Sequence, residues 1–392
     1  LRFDILIVGA GLAGASLALA LKGSGLRLAL VEADPPPAAP AGWDSRVYAI
    51  SPAAQAFLDS LGVWRHLDAE RLTPVQDMHI HGDGGGRLDF AAYDCGLGEL
   101  AWIVEAGLIQ RELWENVTRQ GNLSLFCPLR PHRFEMRDDA VLLELTSGQK
   151  LEAKLLVGAD GADSWVRAQA GLHAETLLYG EMGVVANFAC ERPHFGAAFQ
   201  WFRPDGVLAW LPLPGNRLSM VWSTPTHHAR ALLALDEAQF CRRVAAAGDE
   251  RLGALRLLTP PAAFPLRSMR VPRIVAPRLA LVGDAAHALH PLSGHGINLG
   301  LLDARELASV LRGPAAAADC GEERLLRRYA RARAEEVALL QWVTHGLQRL
   351  FRPQHAFLRV LRNRGLNLVG NLPVLRNMLV RYAIGQYLPE TP

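Results

Sequence analysis

Three clusters of glycine and acidic residues carry most of the chemistry this chain can do. The first is Gly9-x-Gly11-x-x-Gly14, which follows the strand formers Ile5, Leu6, Ile7 and Val8 and precedes an alanine- and leucine-rich run to Leu21. In a strand–turn–helix, the first glycine allows the tight turn. The second lets a pyrophosphate approach the backbone, and the third lets helix and strand pack closely. The helix N-terminus then offers free N–H groups and partial positive charge to phosphates. A second strand, LRLALVE, ends on Glu32, about twenty residues beyond the glycines, where a carboxylate can bind ribose hydroxyls. With strand, helix and acid all in place, the pattern reads as a dinucleotide fingerprint rather than an ordinary glycine-rich turn beside a surface glutamate.

The other two clusters lie far downstream. One is Gly158-Ala159-Asp160-Gly161-Ala162-Asp163-Ser164, followed by Val166 and Arg167; the other is Gly283-Asp284-Ala285-Ala286-His287, extended by HALHPLSGHGINLG. In each, a strand ends and an acid stands at a turn before a helix. A carboxylate there accepts hydrogen bonds from ribitol or ribose hydroxyls, while helix N–H groups face anionic parts of a ligand. Either aspartate alone could be a helix cap worth ~1 kcal/mol; with the fingerprint, the two read as parts of one site. Asp284, His287, His290 and His295 include a three-residue histidine spacing that metals use. The strand-end turn and the proline after His290 argue against a metal. No Ser-His-Asp or paired-carboxylate constellation emerges.

The elements that must position these clusters follow from the order of patterns along the chain. After Glu32 comes a proline-rich loop, ADPPPAAPAG, then Arg46 and a helix opened by Ser51 and Pro52 as N-cap and first helical residue. A glycine-turn hairpin spans MHIHGDGGGRLDF, and a helix near 108–119 carries Gln110 in its first turns. Strands lead to LLVGAD, and four more follow: GVVANFAC, AAFQWFR, VLAWLPL and RLSMVW, punctuated by turns. RLALVGDAAH is again strand, turn and helix, and the chain is helical in pattern from Glu322 onward. A dinucleotide fold interrupted by strands and later resumed implies two interleaved domains, with a substrate meeting the cofactor in the crevice between them. The expected fold is α/β: a Rossmann-like dinucleotide-binding domain (1–72, 104–182 and 277–330) interleaved with an antiparallel-sheet substrate domain (73–103 and 183–276), plus a C-terminal helical region (331–392).

Composition narrows the class of function. The chain has 392 residues, half of them hydrophobic, and a formal net charge of +2, which argues against nucleic acid as the main partner. Lys22, Lys150 and Lys154 are the only lysines. Five scattered cysteines without a C-x-x-C pair point away from disulfides and zinc and towards a reducing compartment. The opening strand leaves no room for a signal peptide, and no apolar run reaches the ~20 residues of a membrane-spanning helix. The expectation is a cytoplasmic protein, soluble or peripheral on the cytoplasmic face of the inner membrane.

Taken in order, GAGLAG, GADGADSWVR and GDAAHALHP resemble the three motifs of class A flavoprotein monooxygenases of the p-hydroxybenzoate hydroxylase fold. DSRVYAIS, GDAAHALHPLSGHGINLGLLDA and RNRGLNLVGNLPVLRNMLVRYAIG look like the ubiquinone-biosynthesis subgroup. The resemblance implies FAD, with Gly9, Gly11 and Gly14 at the pyrophosphate, Glu32 on the adenosine ribose, and Arg46 and Gln110 near the phosphates and ribityl chain. It places Asp160 between FAD and NAD(P)H, Asp284 on the ribitol, and Pro291 and the loop of Gly294, Gly296, Ile297 and Asn298 against the flavin ring. Backbone amides there would stabilise negative charge on the reduced ring. The implied activity is hydroxylation of a polyprenylated phenol through a flavin C4a-hydroperoxide, with NAD(P)H as reductant and molecular oxygen as co-substrate.

No catalytic residue follows; Pro291 and His295 are the flavin-side candidates. Where the subgroup usually reads A-G-Q-G, this chain has Ser293-Gly294-His295-Gly296, and the imidazole either alters the flavin's surroundings or points to solvent. Asn187, Gln200, Trp201, Phe202, Trp210, Pro212 and Trp222 lie on the inserted strands, either as an aromatic wall for a prenylated ring or as plain sheet core. Between Gln341 and Leu388 every charged residue is an arginine: Arg349, Arg352, Arg359, Arg362, Arg364, Arg376 and Arg381. That basic amphipathic pattern suits an anionic membrane surface, a ubiquinone-biosynthesis partner protein, or a helix folded on its own core. Two other functions stay open on the same residues: a flavin-dependent reductase of a prenyl lipid, and a non-catalytic flavin-binding assembly subunit. A flavin halogenase does not, because its W-x-W-x-I-P stretch and catalytic lysine are missing.

Overall fold

The computed structural model describes residues 1–38, 42–288, 296–351 and 362–364. β1 (Arg2–Val8), α1 (Leu12–Ala20) and β2 (Leu28–Val31) form the opening βαβ unit. β3 (Val47–Ile50) runs into α2 (Pro52–Ser60) through Ser51, whose Oγ accepts the Ala54 N–H at 3.3 Å as an N-cap. Next come β4 (Thr73–Val75), the hairpin β5 (Asp77–His81) and β6 (Arg87–Ala91), β7 (Ala101–Glu105) and α3 (Ala106–Thr118). β8 (Leu123–Phe126), β9 (Pro131–Met136), β10 (Val141–Leu145) and β11 (Lys150–Gly158) precede α4 (Trp165–Gln169). The long insertion is β12 (Glu175–Cys190), β13 (Ala197–Arg203), β14 (Gly206–Leu213) and β15 (Arg217–Pro225), then α5 (Thr226–Leu233) and α6 (Glu237–Ala247). β16 (Leu255–Leu257), β17 (Ala262–Arg270), β18 (Val275–Ala276), β19 (Leu279–Leu281) and β20 (His287–Ala288) bring the chain back. α7 (Gly296–Arg312), α8 (Pro314–Ala318) and α9 (Glu323–Phe351) follow.

β1 is the centre of the first sheet, parallel to β2 and β11; β8 continues it beyond β2 and β19 beyond β11, again parallel. Ile5, Leu6, Ile7, Leu155, Leu156 and Val157 are fully buried. Strands covered on both faces read as unbroken apolar runs, which is why these segments do not alternate. α1, α3 and α7 pack on one face through Leu17, Leu113 and Leu301. This is the interrupted and resumed Rossmann-like layer the sequence led us to expect.

The second sheet runs β20-β17-β12-β15-β14-β13-β5-β6, with β16 on β12, and is antiparallel except where β5 lies parallel to β13. One expected domain boundary needs correction. The break at 182/183 falls inside β12, which carries a bulge between Leu178 and Met182 and Gly180 at φ 68°. An irregular strand kept in one sheet by its partner β17 looks, in sequence, like a turn between two.

A second correction concerns the aromatic residues. Successive side chains on a strand alternate between faces, and Trp201, Trp210 and Trp222 fall with Phe188 and Met220 on the face packed under α5 and α6. Pro212, opposite Leu218, takes the same side. These tryptophans are 4 %, 1 % and 0 % exposed, so they are core and not cavity wall. The other face carries Ala198, Leu211 and Leu213, which pack against β4, β7 and β3 of the small third sheet (order β3-β7-β4). Asn187 also points that way, its Nδ2 donating to the Asp44 carbonyl at 2.8 Å.

Arg362 belongs to neither a membrane face nor a partner face. Its side chain is buried and pairs with Asp83 in the β5–β6 turn. Asn363 Oδ1 accepts the N–H groups of Gly84 and Gly86 at 3.1 and 2.8 Å. A Cβ on Gly86 would meet that oxygen at 2.6 Å, so the glycine-rich turn is shaped to receive the asparagine. Arg349's side chain, Arg352, Arg359, Arg376 and Arg381 lie outside the described residues.

Removing Trp210, which fills the space beside Gly248, should cost about 3–5 kcal/mol as Trp210→Ala. Chemical denaturation measures that loss, while flavin content in the folded fraction stays unchanged; flavin loss without destabilisation would return Trp210 to the cavity.

Candidate functional site

The glycine turn is built by close approach of backbones. Gly9 has φ 101°, and a Cβ there would meet the Ala159 carbonyl oxygen at 2.4 Å. A Cβ on Gly14 would meet the Gly9 oxygen at 2.0 Å. Gly11 differs: nothing lies within 4 Å of a Cβ built on it, so its face of the turn opens onto free space. The DG turn is locked on by Ala159 N–H to Val8 O at 2.8 Å, and the GD turn by Val282 N–H to Gly158 O at 3.0 Å. Arg167 ties those two together, donating to Ala285 O at 3.0 Å and Ala162 O at 2.8 Å. All three motifs therefore meet at one end of the parallel sheet, where α/β folds bind ligands.

Around the opening, several expected residues hold the loops rather than stand free. Glu32 accepts Ala10 N–H at 2.5 Å and Ala33 N–H at 2.7 Å, which places its carboxylate beside the glycine turn. Gln110 Nε2 donates to Ala10 O at 2.7 Å, bracing that turn from α3. Asp160 is tied into its own turn, accepting Ser164 Oγ at 2.5 Å and Val166 N–H at 3.0 Å, and so caps α4. Asn298 is 4 % exposed and bridges two segments, with Nδ2 donating to Ala49 O at 2.8 Å and Oδ1 accepting Ser51 N–H at 2.9 Å. Gly296 and Ile297 open α7 beside it. Pro291, Gly294 and His295 lie outside the described residues.

Arg46 is set by its backbone. Its N–H donates to Asp44 Oδ1 at 2.9 Å, and its carbonyl accepts Ala106 N–H at 2.9 Å at the start of α3. Among the described residues no carboxylate pairs with its guanidinium, which is exposed. An exposed guanidinium without a carboxylate partner suits a phosphate.

Asp284 is the complementary feature. Protein crowds it, yet it stays open to solvent. Burial pushes its pKa up; Asp303 adds to the rise, and His287 and Arg267 oppose it. Among the described residues nothing donates a hydrogen bond to it. Holding such a group without donors is unfavourable, and hydroxyl groups on a ligand would relieve that.

Beneath it lies a buried charge cluster that sequence reasoning missed. Asp303, fully buried on α7, accepts Gly283 N–H at 2.9 Å and Arg333 Nε–H at 2.7 Å. His287 Nε2 stands 2.7 Å from the same carboxylate, an ion pair by distance without hydrogen-bond alignment. Burial works against charge on both groups, but each partner overrules it: His287 is raised above 6.5, and Asp303, facing His287 and Arg333, is held below 3.8. Gly283 (φ 61°) is thereby clamped from below. The available signal was an aspartate twenty residues past Gly283 on a helix otherwise apolar on that face.

These features fit FAD. The open face at Gly11 is a cradle that a Cβ would occupy, the exposed guanidinium of Arg46 suits the diphosphate, and the donor-poor carboxylate of Asp284 suits ribityl hydroxyls. On the interdomain face, the buried Asn187 Oδ1 and Ser219 Oγ, cross-strand neighbours, have no hydrogen-bond partner among the described residues.

Comparison with known proteins agrees. The FAD binding domain family matches residues 2–341. The chain is 35 % identical, over 99 % of its length and 91 % of the relative's, to the ubiquinone hydroxylase UbiL of Rhodospirillum rubrum. It is 34 % identical, over 97 % of its length and 98 % of the relative's, to the 3-demethoxyubiquinol 3-hydroxylase of Escherichia coli. The solved structure of Pseudomonas aeruginosa PqsL in complex with 2-aminobenzoylacetate superposes with a TM-score of 0.79 at 24 % identity, covering 92 % of this chain and 100 % of that one; this is a likeness of fold.

Asp303→Ala leaves His287 and Arg333 without their shared partner and should cost about 3–5 kcal/mol. The pH dependence has a definite sign. The raised His287 contributes stability that is complete below pH 6.5 and lost as pH climbs through its folded value. The lowered Asp303 contributes above 3.8, and that is lost on acidification. Melting temperature should therefore fall on the alkaline side in the wild type, and His287→Gln should flatten that slope.

Proposed function

This chain is a member of the FAD binding domain family, and from that premise we propose that it is an FAD-dependent monooxygenase hydroxylating the aromatic ring of a polyprenylated phenol in ubiquinone biosynthesis. The observation that carries the reading is the meeting of the three glycine–acid turns at one end of the parallel sheet, with the open face of Gly11 on the first and the solvent-open Asp284 on the third. The hydroxylase names of the curated relatives support the same chemistry.

FAD supplies the reducing equivalents and the oxygen activation when it is bound. The chain's own residues then have three tasks. Gly9, Gly11 and Gly14 receive the diphosphate beside the N-terminus of α1. Glu32, Arg46 and Asp284 fix the ribose, phosphate and ribityl parts. Gln110, Asp160, Arg167, Asn298 and Asp303 keep those groups in place by holding the turns.

The overall balance is one phenol, NAD(P)H, a proton and O2 giving the hydroxylated ring, NAD(P)+ and water. A single nucleotide fingerprint in the sequence supports transient NAD(P)H binding without a Rossmann domain of its own. A bilayer-dwelling substrate and an arginine-only charge pattern over 341–388 support a membrane-surface or partner-protein role for the C-terminal region, on the cytoplasmic face of the inner membrane. Among the described residues no helix is long and apolar enough to cross a membrane.

The purified protein should carry a flavin absorption band at ~450 nm, typical of such a cofactor, and should transfer one atom of labelled O2 to a prenylated phenol when NAD(P)H is supplied. Turnover under strict anaerobiosis would favour a reductase instead. Asp284→Ala should lose most of its flavin while keeping the far-ultraviolet circular dichroism of the wild type.

A further inference from the structure

Where the chain returns from the second sheet to the first, it leaves a cleft. β17 ends at Arg270 and β18 begins at Val275, and α9 lines the other side of the stretch between them. The space measures about 220 Å³. Val271, Ile274 and Val275 form one wall, and Ala330, Ala334 and Val337 form the other. The buried Ala286 and His287 also line it. They are fixed against the first wall: Ala286 O accepts the Val271 N–H at 3.1 Å, and His287 lies opposite Arg270 in the β17–β20 pair.

The rim of this cleft is cationic. Arg273 and Arg327 both donate to Glu323 Oε1, at 3.0 and 2.9 Å, so one carboxylate answers two guanidiniums. Arg270 lines the same cleft and is exposed, and among the described residues its side chain meets no acid and no hydrogen-bond acceptor. His287 and Arg333, deeper in, are already engaged by Asp303. The excess positive charge therefore stands at the exposed rim. Apolar walls below such a rim complement an apolar body that ends in an anion. We propose that the cleft binds a small amphipathic carboxylate, its chain between α9 and the 271–275 segment and its carboxylate on Arg270.

Size narrows the class of ligand. A dry cavity of roughly 150 Å³ takes one benzene ring. In proportion, about 220 Å³ takes on the order of nine non-hydrogen atoms, a chain the length of octanoate. A folded partner could not enter so narrow a space, and inorganic phosphate would leave the apolar walls in water. None of the residues assigned to FAD lines the cleft, so the proposal stands or falls separately from the FAD reading.

The test titrates octanoate by calorimetry into the full chain as purified, comparing wild type with Arg270→Ala and Ala330→Phe. Wild type should bind one octanoate per chain, and neither octylamine nor inorganic phosphate should compete for the site. Arg270→Ala should weaken binding about tenfold or more, as expected for losing a hydrogen bond to a charged group. Ala330→Phe should abolish binding by filling the cleft. Should that variant fail to fold, Ala334→Phe fills the same space from an exposed position. The proposal is overturned by three results: no saturable binding in wild type, binding that Arg270→Ala or the filled cleft leaves unchanged, or equal competition by octylamine. Arg270-dependent binding to phosphatidylglycerol vesicles without binding of free octanoate would overturn it too, and would assign the rim to a lipid surface.

Discussion

The structure depends on how closely two backbones approach at the head of the parallel sheet. Gly9 lies so near Ala159 that any side chain at position 9 would collide with a carbonyl group, and Ala159 in turn bonds to Val8. Two turns separated by about 150 residues of sequence are thus one feature in space, because β1 and β11 are adjacent parallel strands. The third turn is added by β19, which extends the same sheet beyond β11. Once that edge exists, the three turns and their acids stand side by side at one end of the sheet.

Holding such an opening requires that many polar groups be satisfied from behind. Gln110, Asp160, Arg167 and Asn298 spend side-chain hydrogen bonds on backbone groups of neighbouring turns. Asp303 does so with the most charge at stake, since two cations share its carboxylate in a fully buried position. Buried ion pairs of this kind are weak evidence for net stability and better evidence for a fixed arrangement. Here what they fix is Gly283, and through it the position of Asp284. Stable support beneath and unsatisfied groups above is the usual division of labour at a binding site.

The second sheet divides its two faces equally clearly. One is closed by α5 and α6 over three tryptophans, and the other meets the dinucleotide domain through Leu211, Leu213 and Asn187. The aromatic residues that look most suited to a ring-binding wall are therefore the ones removed from it. The polar Asn187 and Ser219 remain on the interdomain side without partners among the described residues. Both are fully buried, so they belong to the packing between the second sheet and the dinucleotide domain.

The sequence by itself determined the local chemistry: glycines where only glycine fits, strand-end acids, a cap at Ser51, and the break and return of the βαβ pattern. These were legible because each depends on residues within a few positions of one another, where backbone sterics and hydrogen-bond geometry act directly. Tertiary structure alone decided which carboxylates stand open and which are occupied. Asp160 and Asp284 look alike in sequence, yet one is consumed by its own turn and the other faces the cleft. It also decided that Arg333 and Arg362, two arginines among many, are buried against Asp303 and Asp83. A side chain's partner across hundreds of residues is set by how sheets and helices pack, and no spacing along the chain encodes that.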